Sequence, residues 1–256
     1  MRLRVEESPD LAAQLGVPVP PRAPADARAC VDWDALLARV GGGARPRSDT
    51  TTIVPGGAAR LATVVVEGDE VVLEVLVLAD AEAAQRALVA EAQRTTMSRS
   101  PFVVGPALGD VCVRLPPEFP RGHVLWTLGA MLVSVQGGAD LDAIVGAITA
   151  ELDAGWVPGT QAAAHAPVIV DVGVRTDLGG ASKTVTWRVE PAAPGLSIVS
   201  GAWVAEPDRH RARVLDASPT SMTLEVAAGA PVTVELFAVH PRYVVVRRAA
   251  LAVARG

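Results

Sequence analysis

Arginine side chains near the carboxyl end of the chain have the spacing of a binding surface. In the run RHRAR, an extended strand would turn Arg209, Arg211 and Arg213 toward one face. Arg247 and Arg248 follow on a later predicted strand. Such a row predicts a surface for an acidic partner or a polyanion. An edge strand that charge protects from aggregation would show the same pattern.

Catalytic chemistry has weaker support. The motifs of phosphate-binding loops, nucleophile elbows and zinc proteases are missing from the sequence. The four histidines lack metal-ligand spacing, so we expect no metal and no cofactor. A hydrolase would have to assemble its site in the fold from dispersed residues such as Asp110, His123 and Ser134. The sequence therefore favours a non-catalytic protein and leaves a hydrolase as the alternative.

The composition excludes several classes of protein. Of the 256 residues, 50% are hydrophobic and 20% are charged, and the net charge is −5. This hydrophobic content supports a large folded core and argues against disorder. The negative charge argues against nucleic acid as a partner. Because the sequence has no apolar run of about 18 residues, we expect no membrane span.

Two features bear on the cellular compartment. Glu6 and Glu7 stand where the apolar core of a signal peptide would begin. The sequence as given therefore predicts a cytoplasmic protein, and an extracytoplasmic one if a signal peptide has been removed. Cys30 and Cys112 have no CxxC partner. They could form a long-range disulfide in an oxidising compartment. We favour the interpretation that both are free thiols.

Proline content, hydrophobic periodicity and charge divide the chain into three parts. For residues 1–28 the sequence predicts a proline-rich lead-in with one short helix. Residues 29–158 predict an α+β domain, an antiparallel sheet with helices on one face. Residues 167–256 predict an all-β immunoglobulin-like sandwich of seven short strands. The first 158 residues hold 13 basic and 20 acidic residues and the remainder 10 and 8, which supports two separate units.

The periodicity also predicts the individual elements. In the α+β domain we expect helices at 32–40, 81–94 and 141–154, strands at 61–67, 70–78, 111–115, 123–128 and 130–136, and a hairpin turn at Gly68-Asp69. The polar run 45–52 predicts a surface loop that could bind an anion or a partner. In the sandwich we expect strands at 168–174, 184–189, 196–204, 211–215, 222–226, 232–239 and 243–251.

Short motifs in the α+β domain resemble small actinobacterial lipoprotein and sensor-type domains of unknown function. Residues 30–41, CVDWDALLARVG, are similar to their Cys-x-Leu-Leu…Gly opening, and residues 107–110, ALGD, to their Gly-Leu-Gly-Asp turn. Residues 129–150 resemble their closing hairpin and helix, although the chain lacks their lipobox and their second cysteine. Over residues 29–154 the resemblance implies a ligand- or partner-binding module and brings no catalytic residues.

Together these observations predict a two-domain binding or assembly protein that engages a protein partner. The alternatives are a hydrolase and a polyanion binder that uses the arginine row. The sequence leaves the oligomeric state open.

Overall fold

The structure is a computed structural model with two compact units, one of Met1–Thr50 and Ala59–Ala162, the other of Thr51–Ala58 and Ala163–Gly256. It describes residues 27–29, 33–42, 45–78, 80–94, 102–105, 108–138, 141–154, 156–158, 167–177, 182–191, 198–240 and 245–255. The helix predicted in the proline-rich lead-in and Cys30 lie outside the described residues.

The first unit is built on a seven-stranded sheet. Its described helices are α1 (Trp33–Val40), α2 (Ala81–Arg94) and α3 (Leu141–Ala154). The described strands are β1 (Ala27–Ala29), β2 (Ser48–Val54), β3 (Gly57–Val66), β4 (Asp69–Val77), β5 (Val103–Val104), β6 (Val111–Arg114), β7 (Gly122–Leu128), β8 (Met131–Gly137) and β9 (Trp156–Pro158). Residues 51–54 of β2 and residues 57–58 of β3 belong to the second unit. The sheet order is β2-β3-β4-β8-β7-β6-β5, and β1 pairs with β9. The three predicted helices are confirmed to within one residue.

Local chemistry explains where several of these elements begin. Asp80 caps α2, because its Oδ1 accepts the Ala83 N–H at 2.8 Å. Between β3 and β4, Glu67 and Gly68 both have positive φ values, 52° and 93°. A two-residue hairpin turn of this kind needs left-handed backbone at both positions. The turn therefore comes one residue earlier than predicted, and Asp69 already belongs to β4.

Helices cover both faces of this sheet, so the prediction of helices on one face is wrong. Successive strand residues point to opposite faces. Val113 packs in one apolar cluster with Leu88 of α2. Its neighbour Arg114 forms an ion pair with Asp142 of α3, at 3.2 Å. The physical reason is that β7 is buried on both faces, and each apolar face needs a cover.

The surface loop predicted at residues 45–52 is a strand over most of its length. β2 begins at Ser48 and forms one edge of the sheet. Its three consecutive threonines are β-branched and favour extended backbone. Asp49 is held by Arg60 of β3, which donates two hydrogen bonds of 2.6 and 2.5 Å to the two carboxylate oxygens. None of the helices among the described residues has the length and apolar character that a membrane crossing requires.

The described part of the second unit has seven antiparallel strands in two sheets. These are β10 (Val168–Thr176), β11 (Ser182–Glu190), β12 (Val199–Val204), β13 (Ala212–Ala217), β14 (Ser221–Val226), β15 (Val232–His240) and β16 (Val245–Val253). A 3₁₀ helix, Glu206–Arg211, joins β12 to β13. One sheet has the order β10-β11-β14-β13 and the other β12-β15-β16.

The two sheets of the second unit share one apolar core. Trp187 and Leu224 from the four-stranded sheet pack in the same cluster as Val204 and Leu236 from the three-stranded sheet. Ile53, from the segment Thr51–Ala58 of this unit, lies against β12, where a Cβ on Gly201 would be 3.4 Å from it. The unit is therefore a sheet-on-sheet packing with a continuous interior.

Candidate functional site

Two of the three dispersed residues of the hydrolase hypothesis are in hydrogen-bond contact. His123 lies on β7 and Ser134 on β8, on the sheet face that packs under α2, and Nε2 of His123 is 2.9 Å from Oγ of Ser134. The imidazole is only 5% exposed. The Phe102 ring meets it edge-on, with the ring centroids 5.3 Å apart. The pair has the geometry of a nucleophile and a general base.

The turn between β7 and β8 creates this contact. Leu128 pairs with Met131, so the turn consists of Gly129 and one further residue. This register sets Ser134 opposite Leu125 and therefore diagonal to His123. A two-residue turn after a predicted strand is a sequence signal, and the strand predicted at 130–136 begins one residue too early. With the turn assigned correctly, the sequence alone would have placed the two side chains side by side.

Burial and neighbouring charges set the protonation of the pair. Burial lowers the pKa of His123 below its ordinary value, Glu91 opposes this effect, and Arg94 adds to it. Glu91 and Arg94 form an ion pair of 2.8 Å in the last turn of α2. The imidazole is therefore neutral at neutral pH, and its free nitrogen can accept the proton of the serine hydroxyl.

A carboxyl group on β4, that of Glu74, lies beside Ser134. Glu74 is directly opposite Ser134 in the sheet register. Its pKa is raised, chiefly by burial and then by the charge of Glu91, while Arg94 lowers it. We call the group of Glu74, Glu91, Arg94, His123 and Ser134 the α2 polar cluster. The charges of Glu91 and Arg94 act on both Glu74 and His123, and the chemistry of the cluster is that of a base and a hydroxyl flanked by carboxyl groups.

The backbone around Ser134 is already occupied by the sheet. β8 pairs with β4 on one side and with β7 on the other, and Ser134 itself has a register partner on each strand. The N–H groups along β8 are therefore committed to ladder hydrogen bonds. Acyl transfer through a serine also needs donors for the developing oxyanion, and the strand that carries Ser134 does not supply them.

Asp110 lies outside the α2 polar cluster and has a structural role. Its Oδ2 accepts the N–H of Gly129 at 2.7 Å, and its own N–H donates to the Thr127 carbonyl at 2.7 Å. Gly109 before it has φ +54°, and a Cβ there would lie 2.1 Å from the same carbonyl oxygen. The pair Gly109-Asp110, which comes just before β6, therefore holds the start of β6 against the β7–β8 turn.

Metal and thiol chemistry find little support in the described part of the chain. No group of three or more histidine, cysteine or acidic side chains there could hold a metal ion. Cys112 is buried in β6 as a free thiol, and burial raises its pKa to about 12. Such a thiol is protonated at neutral pH and is a poor nucleophile.

The arginine row does not form as predicted. Residues 206–211 are a 3₁₀ helix, so Arg209 and Arg211 do not alternate with Arg213 along one strand. Arg209 pairs with Glu206 at 2.8 Å, and its guanidinium lies 5.8 Å from the centroid of the Trp203 ring. A proline at the helix start and acidic residues three positions before each arginine favour this tight turn.

Arg211 is part of a hydrogen-bonded network that connects the 3₁₀ helix with the residues before and at the start of β15. It forms an ion pair with Asp208 and donates to the Ala230 carbonyl at 3.1 Å. Asp208 also accepts the N–H of Thr233 at 2.6 Å. The Thr233 hydrogen bond, followed by the Arg211 contact, holds the pKa of Asp208 below its usual range. Arg211 therefore neutralises a carboxylate of its own unit.

The remaining arginines of the predicted surface lie on two different sheets. Arg213 is on β13, exposed, and opposite Glu225 in the register. Arg248, on β16, pairs with Glu235 at 3.2 Å and lies 5.3 Å from the Phe237 ring centroid. Arg247 is also on β16, opposite Ala238, and its side chain lies outside the described residues. The five residues therefore do not form one continuous row.

Comparison with family models, with curated proteins and with solved structures finds no match for this chain. The resemblance of residues 29–154 to lipoprotein and sensor-type domains stays a prediction.

Proposed function

We propose that this chain is a non-catalytic binding or assembly protein whose second unit, an immunoglobulin-like sandwich, engages a protein partner. The strand order supports that fold. With β10 to β16 lettered A to G, the sheets have the orders A-B-E-D and C-F-G, as in constant-type immunoglobulin domains. Sandwiches of this type often serve adhesion and assembly, which is a fold-level analogy.

The observation that carries the proposal is the apolar surface of two edge strands. β10 and β13 are the two edges of the four-stranded sheet. Val172 and Val174 on β10, and Val214 and Leu215 on β13, are 41–45% exposed. An edge strand offers unpaired backbone N–H and C=O groups. Such an edge with apolar side chains suits a partner that adds a strand to the sheet.

Charge pairing makes the polyanion alternative weaker. Arg209, Arg211 and Arg248 each have an acidic partner in their own unit. A polyanion would have to compete with these carboxylates for the guanidinium groups, and exposed pairs still reduce the local positive potential. A protein partner at an apolar edge needs no such exchange.

Site-specific photo-crosslinking tests the proposal. A photo-crosslinking phenylalanine at position 174 or 214 samples the two edges, and the same residue at the exposed loop position Ala230 is the control. In an extract of the source cells we expect protein adducts from the edge positions and none from position 230. An excess of unlabelled native protein should suppress adducts with a different protein and increase adducts with another copy of the chain, whereas an excess of the Val214→Lys variant should do neither at position 214. Equal adduct yields at all three positions, or none at either edge, would overturn the proposal.

A second candidate function is hydrolysis at the α2 polar cluster. The specific observation in its favour is the 2.9 Å contact between His123 and Ser134. The neutral imidazole could take the hydroxyl proton as Ser134 attacks an ester carbonyl. We rank this candidate second because His123 is buried and the β8 backbone is occupied by the sheet.

Labelling by a fluorophosphonate tests the second candidate. This reagent phosphonylates serine hydroxyls that are activated by a base. Under the hydrolase hypothesis the native protein is labelled at Ser134, and both Ser134→Ala and His123→Gln lose the label. An unlabelled native protein, beside a serine hydrolase labelled in the same reaction, would eliminate the candidate.

A further inference from the structure

Strand β13 is complementary to itself when its direction is reversed. Its residues, Ala212–Ala217, read ARVLDA. In an antiparallel pair of two copies centred between Val214 and Leu215, these two apolar residues lie opposite each other. Arg213 of each copy then lies opposite Asp216 of the other. Opposite charges directly across antiparallel strands are stabilising, and this pairing has two of them.

A β-bulge places both charges on the same face of the sheet. In a regular strand, residues three positions apart point to opposite faces. In β13, however, Arg213 pairs with Glu225 and Asp216 with Thr223, so the register shifts by one residue between them. Since Glu225 and Thr223 are two positions apart on β14, they share a face, and so do Arg213 and Asp216. Only this shift lets the two charges meet their counterparts across a two-fold axis.

The edge is accessible over its central residues. Val214 and Leu215 are both 45% exposed, and Arg213 and Asp216 are exposed as well. The other edge, β10, is less suited to pairing, since its bulge contains Asp171 with φ 51° and an ion pair to Arg188 on the next strand. A left-handed residue within a bulge disturbs the line of backbone donors and acceptors more than the bulge of β13 does, so β10 suits a strand partner less well than β13.

We propose that β13 pairs antiparallel with β13 of a second copy of this chain, forming a two-fold symmetric dimer through Arg213–Asp216 pairs. This inference rests on the proposed function and names its partner as the chain itself. An isologous contact of this kind uses the same patch on both protomers and closes at two copies. A contact of one short strand buries little area, so the dimer is weak and forms with rising concentration.

Analytical ultracentrifugation of the purified 256-residue chain tests the proposal through charge reversal. We expect the native mass to rise from 26.4 kDa toward twice that value with concentration. Arg213→Asp and Asp216→Arg each replace two attractive pairs with two repulsive ones. Each variant alone should dimerise at least about tenfold more weakly. An equal mixture of the two variants restores both attractive pairs and should recover the native affinity as a heterodimer.

Controls separate the pairing from folding and from the charge on β14. Glu225→Gln alters the charge opposite Arg213 inside the unit and should leave dimerisation unchanged. Circular dichroism of each variant should match the native protein, because the substituted residues are exposed. A native chain that stays monomeric, or a mixture that does not dimerise, overturns the self-pairing. If the crosslink at position 214 then identifies a different protein, the proposed binding function stands without it.

Discussion

At the scale of single residues, Arg60 of β3 connects strand β2 with helix α1. Its side chain is buried and donates two hydrogen bonds to Asp49 on β2. The guanidinium also lies 5.6 Å from the ring centroid of Trp33, and one of its nitrogens is 3.8 Å from a carboxylate oxygen of Asp34, both residues of α1. One charged side chain thus joins the edge of the sheet to a helix. A buried arginine with a matched carboxylate is costly to break on one side only.

We therefore expect Arg60→Met to destabilise the first unit by about 3–5 kcal/mol, because it leaves Asp49 partly buried without its charged partner. The matched control is Arg86→Met, which removes an exposed i,i+4 pair with Glu82 and should cost only about 0.3–0.5 kcal/mol. Urea denaturation of both variants measures the difference. Equal midpoints in the two variants would show that the Arg60 contacts contribute no more than a surface pair.

His123 makes stability depend on pH in a defined direction. Burial lowers its pKa below 6.5, so the unfolded chain binds a proton more readily than the folded one. Well above pH 6.5 neither state is protonated and His123 adds no pH dependence. As the pH falls below that value, protonation favours unfolding, until the folded pKa is reached. Glu74, whose pKa is raised from 4.5, acts with the opposite sign, because the folded chain binds its proton more readily than the unfolded chain.

The variant His123→Gln isolates this dependence. Between pH 7 and about pH 5, the urea midpoint of the native protein should fall more than that of the variant. The other charged groups around the ring, Glu74 on β4 and Glu91 and Arg94 on α2, are retained in both proteins. Parallel midpoint curves would contradict the lowered pKa of His123.

At the scale of elements, replacing a glycine with alanine should change stability in opposite directions in a turn and in a helix. Gly109 has positive φ and no room for a Cβ beside Thr127, so Gly109→Ala should cost about 1–3 kcal/mol or more. Gly146 lies within α3 with nothing near its missing Cβ. Gly146→Ala should therefore stabilise α3 by about 0.5–1 kcal/mol. Thermal unfolding of both variants gives the signs, and a shared sign would refute the argument.

Hydrophobic periodicity predicted the elements better than their surroundings. The apolar stripes of α2 and α3 predict the first and last residues of both helices correctly, because an apolar residue at every third or fourth position matches the period of a helix and not that of a strand. Periodicity says that a helix has a buried side, but not which sheet face covers it. The run 209–213 alternates like a strand, yet the local pairs of Arg209 with Glu206 and Arg211 with Asp208 stabilise a 3₁₀ turn. Local hydrogen bonding there overrides the pattern.

At the scale of the whole molecule, the segment Thr51–Ala58 could not be assigned from sequence. It groups with the second unit although the residues on either side of it belong to the first. A shift in composition marks the boundary between two units only when a long segment of the chain belongs to each unit. Eight residues within a hairpin carry no such shift. The Ser134–His123 contact escaped prediction for a related reason, since it depends on strand register and not on composition.

Separate cores should make the two units respond separately to core substitutions. Leu125 and Leu224 are each fully buried, one in each unit, and replacing either with alanine should cost about 2–5 kcal/mol. Hydrogen exchange followed by mass spectrometry locates that loss. Leu224→Ala should speed exchange in peptides from β13 to β15 and leave those from β6 to β8 unchanged, and Leu125→Ala should do the reverse. If either variant accelerated exchange in both sets of peptides, the two units would unfold as one cooperative body.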